Sequence, residues 1–127
     1  MTFGSRVVPS SEIRAEFIKF MEEHGHLNIG PSSIVPKNDP TLLFINSGMA
    51  ALKDYFTGDR QPPNPDMVNF QPCIRTGDID DIGDRHHLSF FEMMGSWSIN
   101  NYFKERATEL AYGLLVERLG FPKERLY

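Results

Sequence analysis

Two half-apolar runs, residues 67–75 and 87–94, flank a hinge of Thr76, Gly77, Asp78, Asp80, Asp81, Gly83 and Asp84. Clustered acids and glycines break regular structure, so the runs read as two strands joined by a turn-rich loop. Antiparallel pairing is the simplest solution for two such strands. Pro72 in the first run has no N–H for a ladder, which requires an edge position or a bulge there. The hairpin puts Arg75 at its mouth. It puts Phe90, Phe91 and Glu92 in its second arm, just after Arg85, His86 and His87. A guanidinium suits phosphate, a flat aromatic face suits adenine, and a carboxylate suits a metal or water. One strand–loop–strand unit thus carries the groups a nucleotide site needs.

The rest of the chain brackets this hairpin. Residues 1–10 read as a flexible leader, with Ser10 or Ser11 able to cap a first helix. Ile13, Phe17, Phe20 and Met21 follow helical spacing, and Gly25 is a natural stop. Gly30, Pro31, Pro36 and the Asn38-Asp39-Pro40 turn mark a loop. Residues 41–46 (TLLFIN) read as a buried strand, followed by a short helix over 49–56. Residues 57–66, with three prolines and a glycine, are a surface excursion. A last helix spans 102–119, with Phe103, Ala107, Leu110, Ala111, Leu114 and Leu115 on one face and Gly120 and Pro122 ending it. The fold class is α+β, an antiparallel sheet with flanking helices. The run after Phe121 looks like a helix exit turning into another strand, which suits a partial domain.

A chain of 127 residues suits one domain. Ten phenylalanines imply sheet and interface packing. A net charge of −4 makes the chain a poor stand-alone nucleic-acid binder, because phosphate neutralisation dominates that affinity. Its single cysteine excludes an internal disulfide and fits a reducing compartment. No apolar run approaches a membrane span, and there is no signal-peptide order. The expectation is a cytoplasmic protein.

Several motifs fail. Neither a G-x-x-x-x-G-K-[ST] nor a G-x-G-x-x-G pattern occurs. The Asp78-Asp80-Gly83 spacing would put calcium ligands on Ile82 and Ser89, which cannot serve. The histidine pairs lack metal spacing, and Cys73 has no cysteine partner.

Longer blocks do match. Glu12-Ile13-Arg14 with Phe17 and Phe20, then Gly25-His26, come first. Val35-Pro36, then Asn38-Asp39-Pro40-Thr41-Leu42-Leu43-Phe44 with Asn46 and Gly48-Met49, follow. Gln71-Pro72-Cys73-Ile74-Arg75 precedes Arg85-His86-His87 and Phe90-Phe91-Glu92-Met93. Asn101-Tyr102-Phe103-Lys104 and Pro122-Lys123-Glu124-Arg125-Leu126 complete the series. In this order they resemble the N-terminal part of the catalytic domain of the alanyl-tRNA synthetases, which are class II aminoacyl-tRNA synthetases. The resemblance covers residues 11–127 and includes the family's motifs 1 and 2.

The resemblance implies an alanine–tRNA ligase. ATP-dependent activation of alanine would be followed by transfer to tRNA-Ala. It gives Arg75 the ATP α-phosphate and the alanine carboxylate, and puts Phe91 beneath adenine. Arg85 or His86 would lie towards the β- and γ-phosphates, and Asn46, Met49 and Glu92 would form the site floor. Mg2+ would accompany ATP, and no zinc is expected in this segment. The loop after Arg75 is shorter than in many bacterial members and carries acids where they place a lysine. The third class II motif has no counterpart. Gly113-Leu114-Leu115-Val116-Glu117-Arg118 imitates its ending, but lies inside an amphipathic helix and is rejected. The chain alone is therefore expected to be inactive.

Other readings stand beside these. Arg75 could pair with Asp78 or Asp80 as a structural cation, and one of Phe90 and Phe91 should be core because strand neighbours alternate faces. The chain could also be a synthetase-derived binding or dimerisation module, a homodimer built on exposed sheet. A general ATP-binding domain is a third reading.

Overall fold

The computed structural model describes residues 7–37, 39–77 and 79–127. Expectations that fall on residues 1–6, Asn38 and Asp78 lie outside the described residues. Among these are most of the leader and one possible partner of Arg75.

The first helix, α1 (Ser10–Glu23), starts where its sequence pattern places it, but not on a serine cap. Extended Pro9 precedes it, and the Pro9 carbonyl accepts from the Glu12 and Ile13 amides at 3.0 and 3.3 Å. Its buried side carries Phe17, Phe20 and Met21. Gly25, at φ 86°, takes the left-handed turn that frees the chain. The chain then enters β1 (Leu27–Asn28), which pairs in parallel with the start of β2 (Asp66–Ile74). In turn β2 pairs antiparallel with β3 (Phe90–Ser98), from Asp66 opposite Ser98 to Ile74 opposite Phe90. The hairpin and the α+β class are as read, but the sheet is mixed, not wholly antiparallel.

The strand expected at 41–46 does not form, and Pro72 supplies the reason. The Val68 carbonyl accepts from Ile29 N at 3.1 Å, and Ile74 N donates to the Ile45 carbonyl at 2.9 Å. Both groups point away from β3. Pro72 shares their parity, so its missing N–H falls on that same side. A continuous ladder cannot run past it. Residues 41–46 therefore meet the sheet's backbone through Ile45, which is buried, and form a wall.

The face of β2 that carries Val68 and Phe70 packs on the helices. Val68 joins Phe17, Phe20, Met21, Leu110, Leu114 and Leu119 in one core. Leu110 and Leu114 come from the last helix, α3 (Lys104–Tyr112), and its π-helical continuation Gly113–Arg118. Phe103, Ala107 and Ala111 are exposed, against expectation. The helix starts only at Lys104, and Phe103 is extended, which takes it off the stripe. At the other end the wider turn bonds Leu119 N to the Leu114 carbonyl at 2.9 Å, which keeps Leu119 in the core.

The rejected Glu117-Arg118 pair also finds its explanation here. Arg118 reaches back to α1, with Nε on Glu16 at 3.0 Å and both terminal nitrogens on Glu23 at 3.2 Å. These bonds, Glu16's first, raise the Arg118 pKa above its ordinary value. Its role is to tie α1 to the end of the last helix. A short α2 (Lys53–Thr57) follows a 3-10 turn, Ala50–Leu52, in place of the expected helix over 49–56. Among the described residues no helix is long and apolar enough to cross a membrane.

Candidate nucleotide site

The sheet's other face is built from alternate residues. Met67, Asn69, Gln71 and Cys73 on β2 lie opposite Trp97, Gly95, Met93 and Phe91 on β3. Asn69 and Gln71 are fully buried but satisfied. Asn69 donates to the Gly30 carbonyl at 3.2 Å and accepts from the Trp97 indole N–H at 2.9 Å. The Gln71 amide exchanges two bonds with the Ser32 backbone, at 2.8 and 3.1 Å. These amides tie the 30–32 loop onto this face. Burial pushes the Cys73 thiol up from its usual range, which makes it inert flooring and not a nucleophile.

Arg75 emerges at the end of this row. Its backbone N–H continues the hairpin by donating to the Ser89 carbonyl at 2.9 Å. Its Nε donates to the Asn46 carbonyl at 3.1 Å. Its guanidinium carbon sits 5.0 Å from the Phe91 ring centroid. The side chain is thus aimed by a carbonyl and a ring, not by Asp80. Among the described residues nothing bonds the terminal nitrogens of this exposed guanidinium. Arg75, Asn46 and the 41–44 wall border a cleft of about 300 Å³. A larger hollow, about 620 Å³, lies between the 31–41 loop and residues 50–60, and no sequence-predicted site residue lines it.

The structure therefore brings Arg75, Phe91 and Asn46 together, with Asn46 contributing its backbone. It does not bring Glu92 to them. Glu92 is the next residue on β3 and points to the helix face, where it pairs with Arg14 of α1. Phe90 also leaves the site face, but it is exposed, so neither ring of the pair is in the buried core. Met49 is exposed and leads into the 3-10 turn. Arg85 and His86 lie on the exposed loop.

Within that loop Asp84 is an organising group. One of its oxygens accepts from the His86 and His87 amides at 2.8 and 2.7 Å, and the other meets His87 Nδ1 at 2.6 Å. These bonds, led by the His87 amide, hold its carboxyl below the usual carboxylate range. A depressed carboxylate stabilises the fold only while ionised. Asp84's contribution is complete above the unfolded-state value and is lost as pH falls through the folded one. Carboxyl-detected NMR is expected to find Asp84 titrating below the ordinary aspartate range. Asp84→Ala should speed amide exchange at His86 and His87.

Asn69 and Trp97 were not read from the sequence as parts of this region, and Arg14 and Gln71 entered only as members of the matching blocks, with no role of their own. Continuing the every-second-residue pattern of Phe91 and Met93 through Gly95 would have reached Trp97. It sits over two glycines: a Cβ on Gly95 would come within 2.2 Å of the indole, and one on Gly48 within 2.7 Å. The Gly48 N–H also lies 3.2 Å from Met93 Sδ.

A strand–loop–strand carrying an outward arginine over an aromatic, backed by helices, is the arrangement expected of motif 2. Residues 12–127 match the family model described as tRNA synthetases class II (A), and the chain belongs to that family. Its relatives narrow the comparison. It is 48% identical to the alanine–tRNA ligase of Dehalococcoides mccartyi over 118 residues, which is 93% of this chain and 14% of that protein. It is 49% identical to the alanine–tRNA ligase of Ureaplasma parvum over 120 residues, 93% of this chain and 13% of that protein. With that of Acetivibrio thermocellus the identity is 48% over 118 residues, 92% and 13%. The chain spans 13% to 14% of the length of these curated relatives.

Proposed function

We propose that this chain carries the ATP-phosphate half of the active site of an alanine–tRNA ligase. The observation that supports this most is Arg75, fixed by the Asn46 carbonyl and laid over Phe91 on one sheet face. The relatives named alanine–tRNA ligase support the choice of amino acid. In this reading an alanine carboxylate oxygen attacks the ATP α-phosphorus in line. The bond to the bridging oxygen breaks and pyrophosphate leaves. Alanine then passes to the terminal ribose of tRNA-Ala and AMP is released.

Arg75 holds the α-phosphate and neutralises its growing charge, Phe91 supports adenine, and Arg85 or His86 reaches the outer phosphates. Magnesium enters with ATP. Among the described residues no three His, Cys, Asp or Glu groups cluster to hold a metal, and Glu92 is engaged by Arg14. Alanine, tRNA-Ala and a cytoplasmic setting belong to the whole protein in this proposal.

Two measurements test it. ATP titration of the 127-residue chain should show binding. Alanine-dependent exchange of pyrophosphate into ATP should be absent for the chain alone, because no third class II motif is present. Failure to bind ATP would remove the nucleotide reading, and robust exchange would overturn the half-site reading.

One observation favours a second reading, a self-associating module. Among the described residues β3 has β2 on one side and no strand on the other. Sedimentation showing a clean monomer would count against it.

A further inference from the structure

Arg14 lies outside the nucleotide face, yet it is bound to the strand that carries Phe91. Its guanidinium pairs with Glu92 and sits 5.2 Å from the Phe70 ring centroid. Both members of the ion pair are only about 30% exposed, at 29% and 30%, which shields them better than a surface pair. Phe70 is on β2 and Glu92 on β3, so one side chain of α1 spans the hairpin from the helix side. Phe91 and Met93 flank Glu92 and point the opposite way, to the site. Fixing Glu92 towards α1 fixes the rotation of β3 at this point, and hence the tilt of the Phe91 ring beneath Arg75. The ladder holds the backbone of the hairpin end as far as Arg75 and Ser89, but little packs on it from the helix side: Phe90 is exposed and the loop from Gly77 to Leu88 is exposed wherever it is described.

We propose that Arg14 is a positioning residue of the nucleotide site, acting through Glu92 to hold Phe91 as the adenine shelf. This rests on the reading of Phe91 given above. Arg14 touches no part of that site. Its effect should fall on base recognition and spare the phosphate contact made by Arg75.

The test uses the full 127-residue chain with two probes, ATP and inorganic tripolyphosphate. Arg14→Gln and Glu92→Gln are each expected to weaken ATP by about tenfold, the size of one base–aromatic stack, and to leave tripolyphosphate unchanged. The swapped pair Arg14→Glu with Glu92→Arg should restore most of the ATP affinity. A second readout needs no ligand: the NMR shift of Arg75 Nε–H reports the Phe91 ring current. It should move in Arg14→Gln towards its value in Phe91→Ala, and return in the swapped pair. Equal weakening of both probes would mean a general structural role and overturn the proposal. So would an unchanged Arg75 resonance. If the wild type bound neither probe, the ATP reading would fall, and the ring-current shift alone would decide whether Arg14 positions Phe91.

Discussion

Arg75→Ala is expected to weaken ATP binding by about 3 kcal/mol, roughly a hundredfold in Kd, while leaving the chain folded. The size follows from what the side chain offers. Its Nε is committed to the Asn46 carbonyl, which leaves the two terminal nitrogens to grip a phosphate as a fork. Hydrogen bonds between ionised partners each exceed an ordinary one, and two are lost together. The fold depends little on the same group. The guanidinium is exposed, and its contact with Phe91 is worth about 0.5–1 kcal/mol at such a site. Calorimetric titration at two ionic strengths checks both parts. Wild-type affinity should fall with salt more steeply than the variant's. Equal affinities would remove Arg75 from the phosphate role. Arg75→Lys should recover only part of the loss, because an ammonium cannot make the fork.

The second large effect is structural. Gly95→Ala is expected to destabilise the chain by about 3 kcal/mol, although alanine is ordinarily better than glycine in a strand. The new Cβ would lie 2.2 Å from Trp97 Cζ2 and 2.7 Å from its Nε1. The indole must move, and with it goes the bond to Asn69, whose oxygen is left in a fully buried amide. Urea unfolding measures the loss. Gly77→Ala is the control: nothing lies within 4 Å of its added Cβ, and it should be near neutral. Adding Trp97→Leu to Gly95→Ala should cost less than the two changes summed, since removing the indole removes the clash.

How much of this was legible depends on which force decides each element. The β2–β3 hairpin was readable because acids and glycines punctuate it. The α1 helix was readable because Phe17, Phe20 and Met21 keep its period. The second run was read only as far as Met94, whereas β3 continues to Ser98. Gly95 is there to make room for Trp97, a tertiary reason that no local pattern reveals. The 41–46 run is apolar enough for a strand, but Pro72, nearly thirty residues later, denies it a ladder. Arg75 and Phe91 were singled out because their chemistry is distinctive and the resemblance is specific, and the structure sets them side by side. Glu92 was put beside them although neighbours on a strand face opposite ways. The alternation was in the sequence, but the Arg14 partner that claims Glu92 was not.

Trp97 is the chain's only tryptophan, and its placement has a practical use. Its ring lies against Gly48, Gly95 and the edge of Phe56, on the face that carries Phe91 and Met93. The protein thus carries its one indole fluorophore on its candidate nucleotide face. Emission excited at the indole band needs no dye and has no second tryptophan to dilute it. Rearrangement of the Gly48 turn on ligand entry would be read as a change in colour and quenching.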